Sequence, residues 1–137
     1  MHPCDWTFAG IVVDTDVKGV GLVPSSEWLV GIEKALASEV GAETILREQL
    51  ASLSDDKWDT VLIDCPPALG TLTVNALAAV QEVIVPVEAH VMALHGLVQL
   101  LRTVKVVKDR LNPKLRITGI LACRVDARTR HSQDVVE

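Results

Sequence analysis

A chain of 137 residues suits one domain built round one core, since a domain of about 150 residues buries roughly 68–70% of the surface its unfolded form exposes. With 49% hydrophobic residues, three Trp, one Phe and no Tyr, that core is expected to be aliphatic, as in a parallel sheet covered by helices. The formal net charge of −5 argues against a free-standing polyanion binder, because affinity for DNA comes chiefly from Lys and Arg neutralising phosphates.

In chain order, residues 11–14 (IVVD) and 20–23 (VGLV) read as short β-branched strands. Pro24-Ser25-Ser26 then supplies a stop and a helix N-cap. A helix from Glu27 to about Val40 is expected from Trp28, Ile32, Leu36 and Val40, which recur every four residues. Gly41 breaks it, and Leu46, Leu50 and Leu53 mark a second helix from Glu43 to about Leu53. Residues 58–65 (WDTVLIDC) form an apolar run too continuous to face water on either side, which predicts a central strand ended by Pro66-Pro67. After Gly70 the pattern predicts a short helix over 71–80, a buried strand over 82–87 (EVIVPV) and a long helix over 91–111. The apolar face of that long helix is Leu94, Leu97, Leu101, Val104 and Leu111, and Asn112-Pro113 terminates it. A strand over 116–123 (RITGILAC) follows, then a polar turn through Asp126 and a last helix from about Ser132. Strands separated by helices imply crossover connections and parallel pairing, so the expected fold class is α/β, a parallel β-sheet flanked by helices in a single domain over 1–137.

The three cysteines at 4, 65 and 123 are odd in number, widely spaced and set among apolar residues, and read as reduced core thiols of a cytoplasmic protein. No apolar run approaches the roughly 18 residues of a membrane span, and no basic-start, apolar leader opens the chain.

The chemistry is concentrated in VLIDCPPALGTLTVNAL, residues 61–77. A carboxylate at the carboxyl end of a buried parallel strand stands where α/β sheets bind ligands, and it can hold magnesium through water beside nucleotide phosphates. Asp64 is that residue. Spacing alone leaves a second reading open, in which Asp64 merely caps the loop at a strand end.

The apolar run, Asp, any residue, two prolines, then a glycine and a Leu-Thr-x-Asn-Ala-Leu helix resembles the Walker B region of the ParA, Soj and MinD-type deviant Walker ATPases that partition chromosomes and plasmids. The resemblance continues in order through 19–50, 82–104 and 111–137, and covers about residues 17–137. It implies ATP and Mg2+ as cofactors, self-association, and a ParB-like partner. By the same resemblance Asp64 contacts the magnesium hydration shell, and Arg124 and Asp126 contribute to the nucleotide-base pocket. Arg128 and Arg130 fall in a loop where such proteins carry basic residues for DNA or dimer contacts. For these four turn residues a solvated turn, with Asp126 bonded to its own backbone, is the competing reading.

An ATPase of this type also needs a Gly-rich, Lys-bearing loop whose backbone N–H groups wrap the phosphates. Lys18-Gly19-Val20-Gly21 is the nearest candidate within the chain, but it has no Gly-Lys-Thr/Ser end and no following helix. The Val13-Asp14-Thr15-Asp16 stretch imitates the family's second acidic motif, yet lies too near the 19–25 match to be it. The expectation is therefore a partial P-loop NTPase fold without its first βα unit, with no catalytic residue assigned and no ATP hydrolysis by the chain alone. In the family the phosphate-loop strand lies between the Walker B strand and the EVIVPV strand. The gap is expected to close by pairing 60–64 with 83–87, by insertion of IVVD, or by a strand from a second copy, and an oligomer is expected on this ground. Three functional readings stand side by side: a ParA-like remnant that associates without hydrolysis, half of an ATPase completed in trans, and an αβ interaction module reusing the scaffold.

Other candidates are weaker. His90 and His95 are five apart, which does not place them on one helix face. Cys65 beside Asp64 reads as inert packing, and Ser25 and Ser26 as caps, since no Gly-x-Ser-x-Gly elbow is present.

Overall fold

Thr15 and Gly19 turn the chain back on itself early. The Thr15 hydroxyl donates to the Val20 carbonyl at 2.8 Å and accepts the Val17 amide at 3.2 Å, while Gly19 takes the left-handed conformation at φ 80°. The result is a short antiparallel hairpin of β1 (Val13–Asp14) and β2 (Gly21–Leu22), preceded by one helical turn, α1 (Phe8–Ile11). Gly21 has no side chain because the Trp58 ring and Val12 Cγ1 stand where a Cβ would be. The computed structural model describes residues 8–36, 38–51, 53, 57–88 and 91–124, and the chain divides into two compact units, Met1–Ala79 and Val80–Glu137.

In the first unit α2 spans Trp28–Leu36, a 3₁₀ turn Ala42–Thr44 leads into α3 (Ile45–Leu50), and α4 spans Thr71–Ala79. Gly41 breaks the chain as expected, in the left-handed region at φ 80°. Helix α2 stops at Leu36, four residues short of the expected end, and Val40 is fully exposed rather than the last member of an apolar stripe. Helix α4 carries most of this unit's core, with Ala76, Leu77 and Ala78 buried beside Thr73 and Asn75. Asn75 ties three segments together. Its Nδ2 donates to the Ala42 carbonyl at 2.6 Å and to the Thr71 carbonyl at 3.1 Å, and its Oδ1 accepts the Leu46 amide at 3.1 Å. A buried amide is tolerated because its donors and acceptor are so matched.

The expected central strand over 58–65 is not formed. A strand exists through its ladder, and β1 pairs with β2 while β3 pairs with β4, leaving residues 58–65 without regular structure. Leu62 is 89% exposed, where a buried strand position was expected. The IVVD segment is likewise not inserted into a gap, since Val13 and Asp14 face Leu22 and Gly21. The direct pairing of 60–64 with 83–87 is absent too: β3 finds its partner in β4.

The second unit is a single β–α–β passage of β3 (Glu82–Glu88), α5 (Val91–Arg110) and β4 (Arg116–Cys123), with the two strands parallel as expected. Val85 and Val87 of β3 and Val104 and Val107 of α5 are buried, each contributing about 1.5–3 kcal/mol if fully withdrawn from water. Val107 joins the expected face of α5, whereas Leu101 is partly exposed and the Leu94 side chain lies outside the described residues. Leu115, in the turn that leaves α5, is 0% exposed. That turn is closed by Asn112, whose Nδ2 donates to the Val80 carbonyl at 2.6 Å, and by Pro113, which cannot continue the helix. The ladder carries one irregularity: Val83 faces Ile117 but Ile84 faces Gly119, so Thr118 is an extra residue in β4. Its hydroxyl donates to Glu82 Oε2 at 2.8 Å, and Arg116 is paired with the other oxygen of the same carboxylate.

Candidate functional site

Asp64 stands at the end of the VLID run, exposed, immediately before Cys65, Pro66 and Pro67. Two prolines withhold two backbone donors, so this segment relies on side chains to fix its path into α4. Thr73 supplies one fastening by donating its hydroxyl to the Ala68 carbonyl at 2.7 Å. Glu33, reaching over from α2, supplies another by accepting the Leu72 amide at 3.3 Å. The Leu72 N–H belongs to the first turn of α4 and has no partner within the helix, and a carboxylate there is favoured by the helix dipole. Gly70 makes room for it, since a Cβ at that position would overlap the Glu33 carboxylate. Burial pushes the Cys65 thiol up from its ordinary pKa, and the neighbouring Asp64 charge pushes it further the same way. Cys65 is nonetheless exposed, not packed away as the sequence suggested, and the raised pKa disfavours the thiolate that reacts.

Arg124 follows β4 in the second unit, and its Nη1 donates to Glu88 Oε1 at 2.8 Å, across the carboxyl ends of the two parallel strands. The hydrogen bond to Glu88 and that residue's charge together raise the guanidinium pKa, fixing a cation already permanent at neutral pH. Arg124 takes φ 53°, the one positive φ of a non-glycine residue among those described. Asp126, Arg128, Arg130, His90 and the expected last helix lie outside the described residues. Of the residues singled out from the sequence, Asp64 thus belongs to the first unit and Arg124 to the second. Glu33 and Glu88 were not anticipated. Glu33 lies one residue off the apolar repeat of α2, which assigns it to solvent, and Glu88 follows EVIVPV with nothing in the local pattern to mark it.

Among the described residues no group of three His, Cys, Asp or Glu side chains could hold a metal ion. A single exposed carboxylate suits magnesium all the same, because Mg2+ keeps several waters and is commonly bound through one or two carboxylates plus substrate phosphates. The donor chemistry of Asp64 fits that role.

The parallel β–α–β unit with its flanking helices is an α/β arrangement, and the solved structures it resembles place it as a partial fold of the P-loop NTPase class. A family model described as an AAA domain matches residues 5–117. The chain belongs to that family and, within it, to the ParA/Soj-type partitioning ATPases. It is 47% identical over 119 residues to the chromosome-partitioning ATPase Soj of Thermus thermophilus, covering 87% of this chain and 45% of that protein. It is 39% identical over 127 residues to the sporulation initiation inhibitor protein Soj of Bacillus subtilis, covering 93% and 50%. Among solved structures, a cobyrinic acid a,c-diamide synthase from Mycobacterium smegmatis with bound ATP analogue and magnesium matches at 42% identity and a TM-score of 0.85, over 93% of this chain and 52% of that one. The chain thus spans about half the length, or less, of the relatives it matches.

Proposed function

We propose that the 137 residues are the Walker B-bearing part of a ParA-type chromosome or plasmid partition ATPase, with Asp64 as the carboxylate that meets the magnesium hydration shell. The observation that carries this reading is the 39–47% identity to Soj proteins across 87–93% of the chain. The exposed position of Asp64 at the end of its apolar run supports it. Bound Mg2+ would neutralise charge developing on the transferred phosphoryl group. Asp64 would hold and orient that ion's waters, and Arg124, steadied by Glu88, would stand toward the base with Asp126. Arg128 and Arg130, a few residues further along the sequence, would serve DNA or dimer contacts.

Hydrolysis needs a lysine-bearing phosphate loop, which supplies much of the electrostatic stabilisation in this chemistry, and no stretch within the 137 residues has that pattern. The chain therefore acts as a nucleotide switch only when such a loop is supplied, and works with copies of itself and a ParB-like protein in the cytoplasm.

Titration calorimetry tests this. With Mg-ATP the chain alone should show neither tight binding nor turnover above background. Adding a polypeptide that carries the phosphate loop of a Soj relative should restore magnesium-dependent binding, and Asp64→Ala should remove it. Magnesium-dependent turnover by the chain alone, abolished by Asp64→Ala, would overturn the division of labour proposed here.

A further inference from the structure

Helix α2 and the entry to α4 are 39 residues apart in sequence at the point where Glu33 accepts the Leu72 amide. Glu33 is half-buried, off the apolar repeat of its own helix, and its Oε1 occupies the space that Gly70 leaves by having no side chain. Withdrawing a carboxylate from water is costly unless donors replace that water, and the first turn of α4 offers such a donor together with the favourable end of the helix dipole. The Thr73–Ala68 bond also holds this passage, at 2.7 Å, and the Val74 amide closes it on the Gly70 carbonyl at 3.1 Å. Residues 65–70 are thus pinned at their α4 end, while their other end is Asp64.

We infer that Glu33 is a positioning residue: by clasping the Gly70–Leu72 backbone it fixes the double-proline passage and so sets where Asp64 presents its carboxylate. The assignment of a task to Asp64 rests on the function proposed above; the clasp itself does not. Gly70 belongs to the device as the residue whose missing Cβ admits the carboxylate. A methyl group there meets only the end of a flexible side chain, so Gly70→Ala is expected to fold and to expel the Glu33 carboxylate from its seat.

Amide hydrogen exchange followed by NMR, with alkylation of Cys65 by iodoacetamide read by mass spectrometry, tests the clasp without nucleotide. Glu33→Ala and Gly70→Ala should each speed exchange of the Leu72 amide about fivefold or more, the loss expected for one hydrogen bond. They should speed Cys65 alkylation in parallel, as the loosened passage gives up the partial cover it lends this already exposed thiol. Glu33→Gln, which keeps an acceptor oxygen, should leave both rates near the wild type. Cys123 and the amides of Val104 and Val107 serve as references and should not change. Unaltered Leu72 exchange and Cys65 alkylation in Glu33→Ala would overturn the inference, as would a uniform rise in every amide, which marks general destabilisation. The Asp64→Ala calorimetry described above decides the metal role separately, so failure of either idea is recognisable by itself.

Discussion

Glu82 shows how an exposed side chain is held by its neighbours. Its carboxylate accepts from Arg116 and Thr118, and the Arg116 hydrogen bond, then that of Thr118, then the Arg116 charge hold it below the usual carboxylate range. A carboxyl whose folded pKa is depressed contributes stability that is fully present above the unfolded pKa of about 4.3 and is lost as pH falls through the lower folded value. The contribution is small for so exposed a pair, but its titration is measurable. NMR should place the Glu82 midpoint below that of a glutamate in a model peptide, and Arg116→Ala should return it toward the ordinary value. An unchanged midpoint in Arg116→Ala would show that Thr118 alone holds the charge.

At the scale of elements, the parts of the fold that the sequence discloses are those whose cause is local. Asn112-Pro113 stops α5, EVIVPV and RITGILAC become β3 and β4, and Gly41 breaks the helical stretch, each for a reason contained within a few residues. Residues 58–65 fail for the opposite reason, since an apolar run cannot be a strand without a neighbour to accept its ladder, and that neighbour is not specified by the run. Within the candidate site, the double proline marks the Asp64 segment in the sequence, whereas the Glu33 contact is hidden because its partner amide lies in another helix. Asn75 is an intermediate case: the Leu-Thr-x-Asn-Ala-Leu motif displays it, but only the fold shows that it joins Ala42, Leu46 and Thr71. Replacing it with Leu should leave the Leu46 amide and the Ala42 carbonyl unpaired, at about 1–3 kcal/mol each. Urea unfolding of the first unit should therefore shift to a lower midpoint by an amount equivalent to at least about 2 kcal/mol. A shift below half of that would mean that water replaces the lost partner.

For the whole molecule, apolar exposure bears on association. In the second unit Ile84 is 63% and Leu121 56% exposed, and the β3–β4 ladder that carries them has two strands among the described residues. Two-stranded sheets are marginal alone, and contiguous exposed apolar surface usually marks an interface. Light scattering at about 100 μM, well above a micromolar dissociation constant, should accordingly report a dimer or larger species, and a monodisperse monomer would refute this. The Thr118 bulge bears instead on how the chain can change in length. Because Thr118 faces no residue of β3, it shifts the reading frame of the ladder once, leaving Ile117, Ile120 and Ala122 opposite Val83, Val85 and Val87. A chain one residue shorter at this point would keep every one of these pairings, whereas a deletion at Ile120 would slide the remainder of β4 out of step and turn its faces over. Insertion and loss of a residue are thus absorbed at one place in an otherwise rigid ladder.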